Sequence, residues 1–531
     1  MIEFVTAGGV SLDLSPDTEF EITYENPLLD DDRIPAAWST DVNFPPSMTN
    51  KRAFGYLGAM LAEPKVKELS VILVVRGIHY MNGTLIYEGI DEDGNLKYSF
   101  SGRDIESKWA TKLWALPAIG STESGIDYMW DTINGRIDGV SAPIIVNKAL
   151  SADLGFSGSE KNINKKYRNT LDFLEPSEGY IPAVTVKKIL EDAGITVSVS
   201  ESLSPLAGAL SVLGTWWSVW LPATKTWYNL NVLDSMPDIS VSDVIKGFCE
   251  MTCSGVFIHN GKLYLRSFND VIGSGDVVNW DGKVSDVFSM SKIEKEGYSL
   301  EFSNSSEATD VSESPEVEEQ SSLRGILDAA SNEYRTLVHA PSSCIYSCKH
   351  SPESGSEEVL IDKLSSFAKV SDEDSENIHK VSIGFEAAAC APIHYVYNKE
   401  LLRRMAPVIS IPGVGSDRPT KACVTLVSMQ QGTDSGYVIN SDAVKSDLHI
   451  GVSLEPKFLF ENYHKAFAKW ISEDRCELSV SVNLSIYELC ALPIWRVVRL
   501  AGRNYIISKL SVRMSAKLGD ISDINCNLIR L

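Results

Sequence analysis

The sequence is poor in several features that would otherwise define it. Cysteine is sparse: nine residues, odd in number and scattered through 531. A secreted disulfide framework needs an even set at tight spacings, so the thiols read as reduced and mostly buried, as in a protein assembled in a cytoplasm. Basic charge is in deficit, with 48 Lys and Arg against 71 Asp and Glu and a net charge of -23. A chain this acidic repels phosphate backbones and anionic membrane surfaces, which argues against sequence-specific nucleic-acid recognition as its main work. The opening Met1-Ile2-Glu3-Phe4 carries an acid where a signal peptide needs a base, and no export signal is expected.

Catalytic patterns are missing as well. There is no His-Glu-x-x-His pair, no phosphate-binding loop and no Gly-x-Ser-x-Gly elbow. Gly155-Phe156-Ser157-Gly158 approaches the elbow but lacks its second glycine at the right place. Cys344, Cys348 and His350 form the best metal candidate, yet tetrahedral zinc needs a second ligand pair and none is visible. Cys249 and Cys253, also four apart, fall within an expected helix and read as core residues. Asp91, Asp93 and Asn95 suggest calcium only loosely, because the glycine falls two places early for an EF-hand loop. Asp30, Asp31 and Asp32 read as a solvated turn. No catalytic, cofactor-binding or metal residue is assigned, no cofactor is expected, and the chain is expected not to be an enzyme.

What is present is an ordinary globular chain, 44% hydrophobic and 22% charged, long enough for two to four domains. The fold class expected is β-rich α+β and multi-domain. Glu19 to Tyr24 alternates as a half-buried strand. Trp38 to Phe44 is extended, and Val71 to Val75 reads as a strand covered on both faces. Asn82-Gly83 and Asp93-Gly94 are hairpin-turn dipeptides. A helix is expected from Pro182 to Ala193, closed by Gly194. Ser240 and Asp243 form a capping box ahead of the stripe Val241, Val244, Ile245, Phe248 and Met251, with Gly255 closing that helix and a hairpin turning at Asn260-Gly261. Near the end, Phe458, Leu459, Tyr463, Phe467, Trp470 and Ile471 make one helical apolar face. Leu478 to Leu484, a hairpin turning at Gly502-Arg503-Asn504, and Ile521 to Leu531 are strands.

These signals divide the chain into five parts. Residues 1–115 are an N-terminal β-barrel-like domain, and 116–235 a mixed α/β segment. A helix-hairpin unit covers 236–300. Residues 301–385 carry acidic insertions, rich in Glu and Asp at 306–320 and in Ser, Glu and Asp at 351–378. A C-terminal β domain with one long helix covers 386–531. The uncharged stretch from Leu203 to Thr224, with Trp216, Trp217 and Trp220, has the length of a membrane span. Its Gly, Ser, Thr and Pro content makes a buried or partner-covered segment the better reading, and membrane contact is not expected.

Several pieces occur in an order that resembles a family of tail proteins of phages and prophages of Bacteroides-type hosts. They are Phe20-Glu21-Ile22, Asn26-Pro27-Leu28-Leu29, Ile34-Pro35, Phe44-Pro45, Thr49-Asn50-Lys51-Arg52 and Phe54-Gly55. Gly89 to Gly102 and Pro237-Asp238-Ile239-Ser240 follow. The ending matches too, with Leu478 to Leu484, Tyr487-Glu488-Leu489 and Gly502 with Tyr505-Ile506-Ile507. The resemblance touches about half the chain and leaves 116–235 and the acidic insertions unassigned. It implies a baseplate hub or tail-tip fold with two tail-tube-like β-barrels per chain and smaller α/β domains. It implies a homotrimer that presents six barrels to a six-fold tube. The implied partners are the tail tube or distal tail protein and the tape-measure or tip and fibre proteins. The implied place is the virion tail, reached from the host cytoplasm. An acidic lumen would let DNA pass without sticking. Two other functions compete: a host-surface glycan-binding module using aromatic stacking, and, ranked last, a tail-associated cell-wall hydrolase.

Overall fold

The computed structural model describes residues 1–30, 33–34, 37–56, 63–102, 109–116, 142–145, 179–213, 218–221, 226–229, 236–259, 262–302, 378–387, 389–397, 400–408, 420–431, 437–441, 452, 454 and 456–531. The first strands are β1 (Ile2–Thr6), β2 (Ser11–Leu12), β3 (Glu19–Glu25), β4 (Ala37–Ser39), β5 (Val42–Phe44), β6 (Glu68–Val75), β7 (Ile78–Ile90) and β8 (Leu96–Ser101), with helix α1 (Met48–Phe54) before β6. The middle holds β9 (Ala142–Ile145), β10 (Gly179–Thr185), α2 (Val186–Asp192), β11 (Val197–Val199), α3 (Ser204–Ala209), β12 (Leu210–Leu213), β13 (Ser218–Leu221), β14 (Thr226–Asn229), α4 (Val241–Thr252), β15 (Ser254–His259), β16 (Lys262–Ser267) and α5 (Phe268–Gly273). Next come β17 (Val277–Asn279), β18 (Val284–Ile293), β19 (Gly297–Phe302), β20 (Ile378–Ile383), β21 (Phe385–Ala387), β22 (Ala389–Tyr397), β23 (Glu400–Val408), β24 (Ala422–Gln431) and β25 (Tyr437–Ser441). The chain ends with α6 (Pro456–Leu459), a π turn (Phe460–His464), α7 (Lys465–Ser472), β26 (Arg475–Val482), α8 (Ile486–Ala491), β27 (Val497–Leu500), β28 (Arg503–Ser515) and β29 (Asp520–Arg530). The fold is β-rich with few helices.

The largest sheet has 14 strands, drawn from both ends of the sequence and, for β17 and β18, from its middle. Its main path runs β18-β26-β29-β28-β3-β4-β8-β7-β6-β1-β2, with β5, β17 and β27 attached at its sides. β3 and β28 pair antiparallel, Ile22 opposite Val512, so the two ends of the chain are hydrogen-bonded neighbours. The sheet rolls. Phe4 on β1 meets Phe20 on β3 with ring centroids 5.6 Å apart, although β4, β8, β7 and β6 lie between them in strand order. Arg76, at the β6–β7 turn, forms an ion pair with Asp520 at the start of β29. Inside the roll is a core of Phe4, Phe20, Phe44, Phe54, Tyr98, Phe100 and the inward residues of β26, β28 and β29.

A second core is built from the middle of the chain, with α2, α4, α7, β15, β16 and Phe385 around it. The wall between the cores is β27 and β28. Period-two alternation sends Val497 and Ile506 into the second core and Val498 and Ile507 into the first. Asn26, Leu28 and Arg33 pin the two together. Asn26 donates from Nδ2 to the Ile507 carbonyl (2.6 Å) and accepts from the Leu28 amide (3.0 Å). Arg33 donates to the Leu28 carbonyl (2.6 Å), and its own carbonyl receives the Val256 amide.

Some local expectations change in three dimensions. Val71 to Val75 alternates between buried and half-buried, so its strand is fully covered on one face only. Asn82-Gly83 is not a turn: it lies inside β7, opposite Ile72 and Val71. A Cβ on Gly83 would stand 2.4 Å from the Ser101 carbonyl oxygen and 2.5 Å from the Phe100 ring, so the glycine is there for close approach. The β6–β7 turn is Arg76-Gly77, both with positive φ (53° and 76°), as a two-residue hairpin of this twist requires. Pro182 lies in β10, and α2 starts after Thr185, whose side chain caps the Lys188 amide. The Ser240–Asp243 capping box forms as expected. Cys253 in the left-handed region ends α4, while Gly255 lies in β15 against Pro27. The C-terminal hairpin turns at Ala501-Gly502, one place earlier than the expected Gly502-Arg503-Asn504.

Candidate functional site

Two features stand out, one buried and one exposed. The buried one runs through the second core. His464, at the end of the π turn, is fully buried, and both ring nitrogens are used. Nε2 lies 2.9 Å from the Met251 carbonyl, which can only accept, so the proton sits on Nε2 and Nδ1 accepts from the Tyr298 hydroxyl at 2.5 Å. Burial pushes the imidazole pKa down to about 3, and the nearby Arg33 adds to the fall. Tyr298 stacks on His379 (5.8 Å, 22°), whose Nδ1 lies 3.7 Å from Glu296. Glu296 accepts from Arg475 (3.1 Å), and Arg475 lies over the Trp470 ring at 5.0 Å. This line of polar groups ties β19, β20, α7 and β26 together. A neutral, doubly bonded histidine with no nucleophile bound to it suits a strut better than proton transfer.

The exposed feature is the rim of the 14-stranded sheet. Among the described residues β18 ends the sheet and pairs with β26 alone. Phe288 stands opposite Val480 and Met290 opposite Leu478. Directly opposed residues share a face of a sheet, and Val480 and Leu478 point into the first core. Phe288 and Met290 therefore continue the core's apolar row past the last strand among the described residues, and they are 60% and 67% exposed. Ser289, Ser291 and Lys292 are exposed beside them. In the sequence, the one signal of this segment is the alternation Phe288-Ser289-Met290-Ser291.

The candidates named from sequence fall as follows. Cys344, Cys348, His350 and Gly155 to Gly158 lie outside the described residues, as do Asp31, Asp32 and the acidic stretches 306–320 and 351–377. Cys249 and Cys253 are buried, and burial pushes their thiols up to about 12 and about 11, far from the thiolates a metal needs. Asp91 accepts from the Asn95 amide (2.7 Å) and side chain (2.9 Å), which locks a turn. Among the described residues no group of three His, Cys, Asp or Glu could hold a metal ion. Leu206, Leu210 and Val212, from the uncharged stretch, are buried on α3 and β12. No helix among the described residues is long and apolar enough to cross a membrane. Of the aromatics weighed for sugar stacking, Trp495 packs against Phe257, His259 and Tyr264 with ring centroids 5.1–5.6 Å away, so much of its surface is taken by the protein itself.

No protein-family model matches the chain, and no curated protein matches it in sequence. Solved structures give distant likenesses. The 43 kDa tail protein of prophage MuSo2 from Shewanella oneidensis is 8% identical, over 100% of this chain and 98% of that one, with a TM-score of 0.32. A tail protein from Neisseria meningitidis MC58 is 9% identical, over 100% and 96%, with a TM-score of 0.33. The phage P2 baseplate in its activated conformation with Ca gives 9% identity over 98% and 88%, with a TM-score of 0.20. Scores of this size do not establish a common fold.

Proposed function

We propose that the chain is a structural component of a phage-type tail, a hub or tail-tip protein that works as a homotrimer between the tail tube and the host-facing tip. One observation carries this reading. The pieces that resemble tail proteins are scattered along the sequence, yet those at its two ends are neighbours in one sheet. Phe20 and Ile22 on β3 face Met514 and Val512 on β28, which also carries Tyr505-Ile506-Ile507. Leu478 to Val482 on β26 joins through β29. Chance Pro and Gly punctuation would give no reason for that adjacency.

In this reading the rolled 14-stranded sheet supplies the barrel-like parts of each subunit, and three copies surround an acidic lumen. The net charge of -23 is compatible with such a lining. The partners are the tail tube or distal tail protein on one side and tape-measure, tip or fibre proteins on the other. The chain performs no catalysis, takes no cofactor and reaches the virion tail from the host cytoplasm. Electron microscopy of the purified protein tests this. A three-fold ring with a six-lobed outline and an open centre is the expected result. Single-copy particles, together with absence of the chain from purified tails, would overturn it.

A further inference from the structure

We propose that the strand pair β19–β20 is a proton-coupled flap, which opens locally from α4 and α7 as His464 takes up a second proton while the 14-stranded sheet stays closed. The proposal goes beyond the hub reading and does not depend on it.

The pair is placed to move as a unit. β19 and β20 run parallel, with Tyr298 beside His379 and Leu300 beside Val381, and among the described residues no ladder joins them to a larger sheet. Two strands alone make a marginal sheet. Side chains therefore carry much of the attachment: Tyr298, Leu300, Val381 and Ile383 reach into the second core, and the Tyr298 hydroxyl donates to His464 Nδ1 at 2.5 Å. Each strand is also tied at one end. Before β19 the Glu296 amide donates to the Ile471 carbonyl (3.1 Å). After β20 the Gly384 amide donates to the Glu250 carboxylate (2.8 Å), and β21 then joins β24. These two ties are the hinges between which the pair can part from the core.

The latch is a histidine with no place for a second proton while the pair is closed. Nε2 already donates to the Met251 carbonyl (2.9 Å), and Nδ1 is occupied by the proton of Tyr298. A proton arriving at Nδ1 must displace that one, and it creates a buried positive ring near the positive Arg33. The carboxylates of the surrounding elements are committed to other groups. Glu250 on α4 holds the Gly384 amide, Glu461 in the π turn holds Lys465 (2.8 Å), and Glu296 holds Arg475 (3.1 Å) and lies 3.7 Å from His379. Burial keeps the thiols of Cys249 and Cys253 neutral. His379, stacked on Tyr298, also opposes charge on His464. Parting of the pair carries Tyr298 away and admits water to Nδ1, which returns the ring to ordinary basicity. The open form thus holds one proton more than the closed form once the pH drops below the ordinary histidine range, and opening is favoured as pH falls.

Hydrogen exchange of the full-length protein, resolved by segment and corrected for the intrinsic rate, decides it. Protection of the β19 and β20 amides should be nearly flat above pH 7 and about tenfold lower at pH 4.5 than at pH 5.5. The same amides should respond to urea less steeply than those of β28, because a local opening exposes less surface than global unfolding. In H464Q the pH dependence over the pair should vanish, and in H379Q it should remain. The wild-type and H379Q measurements decide the matter even where H464Q does not fold. Protection over the pair that ignores pH, a urea response equal to that of β28, a slope that persists in H464Q or a slope lost in H379Q would each overturn the proposal. None of these readouts needs a ring, so single-copy particles in micrographs sink the hub reading alone, and a failed latch leaves that reading intact.

Discussion

Phe288 and Val480 face each other across neighbouring strands, yet Val480 is 4% exposed and Phe288 is 60% exposed. The same cross-strand position thus has opposite energetic weight on its two sides. Val480 is enclosed by the first core, so V480A removes packed methyl groups and leaves a void, at a cost of about 2 kcal/mol. Phe288 is mostly exposed, and F288A should change stability by less than about 0.5 kcal/mol. Urea midpoints of the two variants check this. A cost for F288A as large as for V480A would mean that the rim is covered within the single chain.

His464 makes the fold acid-sensitive. It is neutral in the native state, with its pKa held down near 3 by burial, and returns to an ordinary histidine when the chain unfolds. The unfolded state therefore gains a proton first as pH falls. Stability is unaffected above about 6.5 and declines by about 1.4 kcal/mol per pH unit from there toward 3. Between pH 6.5 and 4.5 the loss from this residue is about 2 kcal/mol. H464Q should be less stable at pH 7, because it disturbs the bonds to Tyr298 and Met251, but its stability should fall less steeply over that range. Denaturation at pH 7.0, 6.0 and 5.0 compares the slopes. Equal slopes would place the titrating group elsewhere.

Much local structure was legible because it depends on near neighbours. The Ser240–Asp243 capping box, the alternation of Glu19 to Tyr24, the Asp93-Gly94 turn and the apolar face from Leu459 to Ile471 all rest on contacts within a few residues. What was not legible depends on distant partners. Nothing near Ile22 shows that it will pair with Val512. Gly83 resembles a turn residue until Phe100 and Ser101 are placed against it. His464 sits within the apolar helical face that was recognised, but its role needs Tyr298 and Met251, each more than 160 residues away. The β18 rim escaped notice because alternating apolar and polar residues look alike in a covered strand and an uncovered one.

Two glycines allow the close-approach account to be tested by rescue. Gly247 on α4 faces the Phe385 ring, where an added Cβ would come within 2.6 Å. A side chain can be exchanged, so G247A should destabilise by about 1–3 kcal/mol and F385L should recover much of that loss. Gly83 faces the Phe100 ring as well as the backbone oxygen of Ser101, 2.4 Å from the added Cβ. Removing the ring leaves the backbone in place, so F100L should not rescue G83A. Thermal denaturation of the four variants and the two double variants distinguishes the cases. Rescue of G83A by F100L would show that the ring, not the carbonyl, fixes the approach of β7 to β8.

The joint between the cores rests on Asn26. Its amide nitrogen reaches the Ile507 carbonyl on the wall strand β28, and its oxygen holds the Leu28 amide on the side of the second core. Asn26 is itself buried, so water cannot readily replace either bond. N26A leaves a donor and an acceptor without their partner and should cost about 2–4 kcal/mol. N26D keeps the acceptor for Leu28 but presents a carboxylate oxygen to the Ile507 carbonyl, where repulsion replaces a bond, so it should be no better than N26A at neutral pH. Hydrogen exchange adds a spatial readout. If Asn26 couples the cores, exchange in N26A should rise at Leu28 and Val256 more than at β6 and β7, which lie away from the joint. A uniform rise would reduce Asn26 to a general stabiliser. A local one would make Asn26, with Leu28 and Arg33, the clamp through which strain in one core passes to the other.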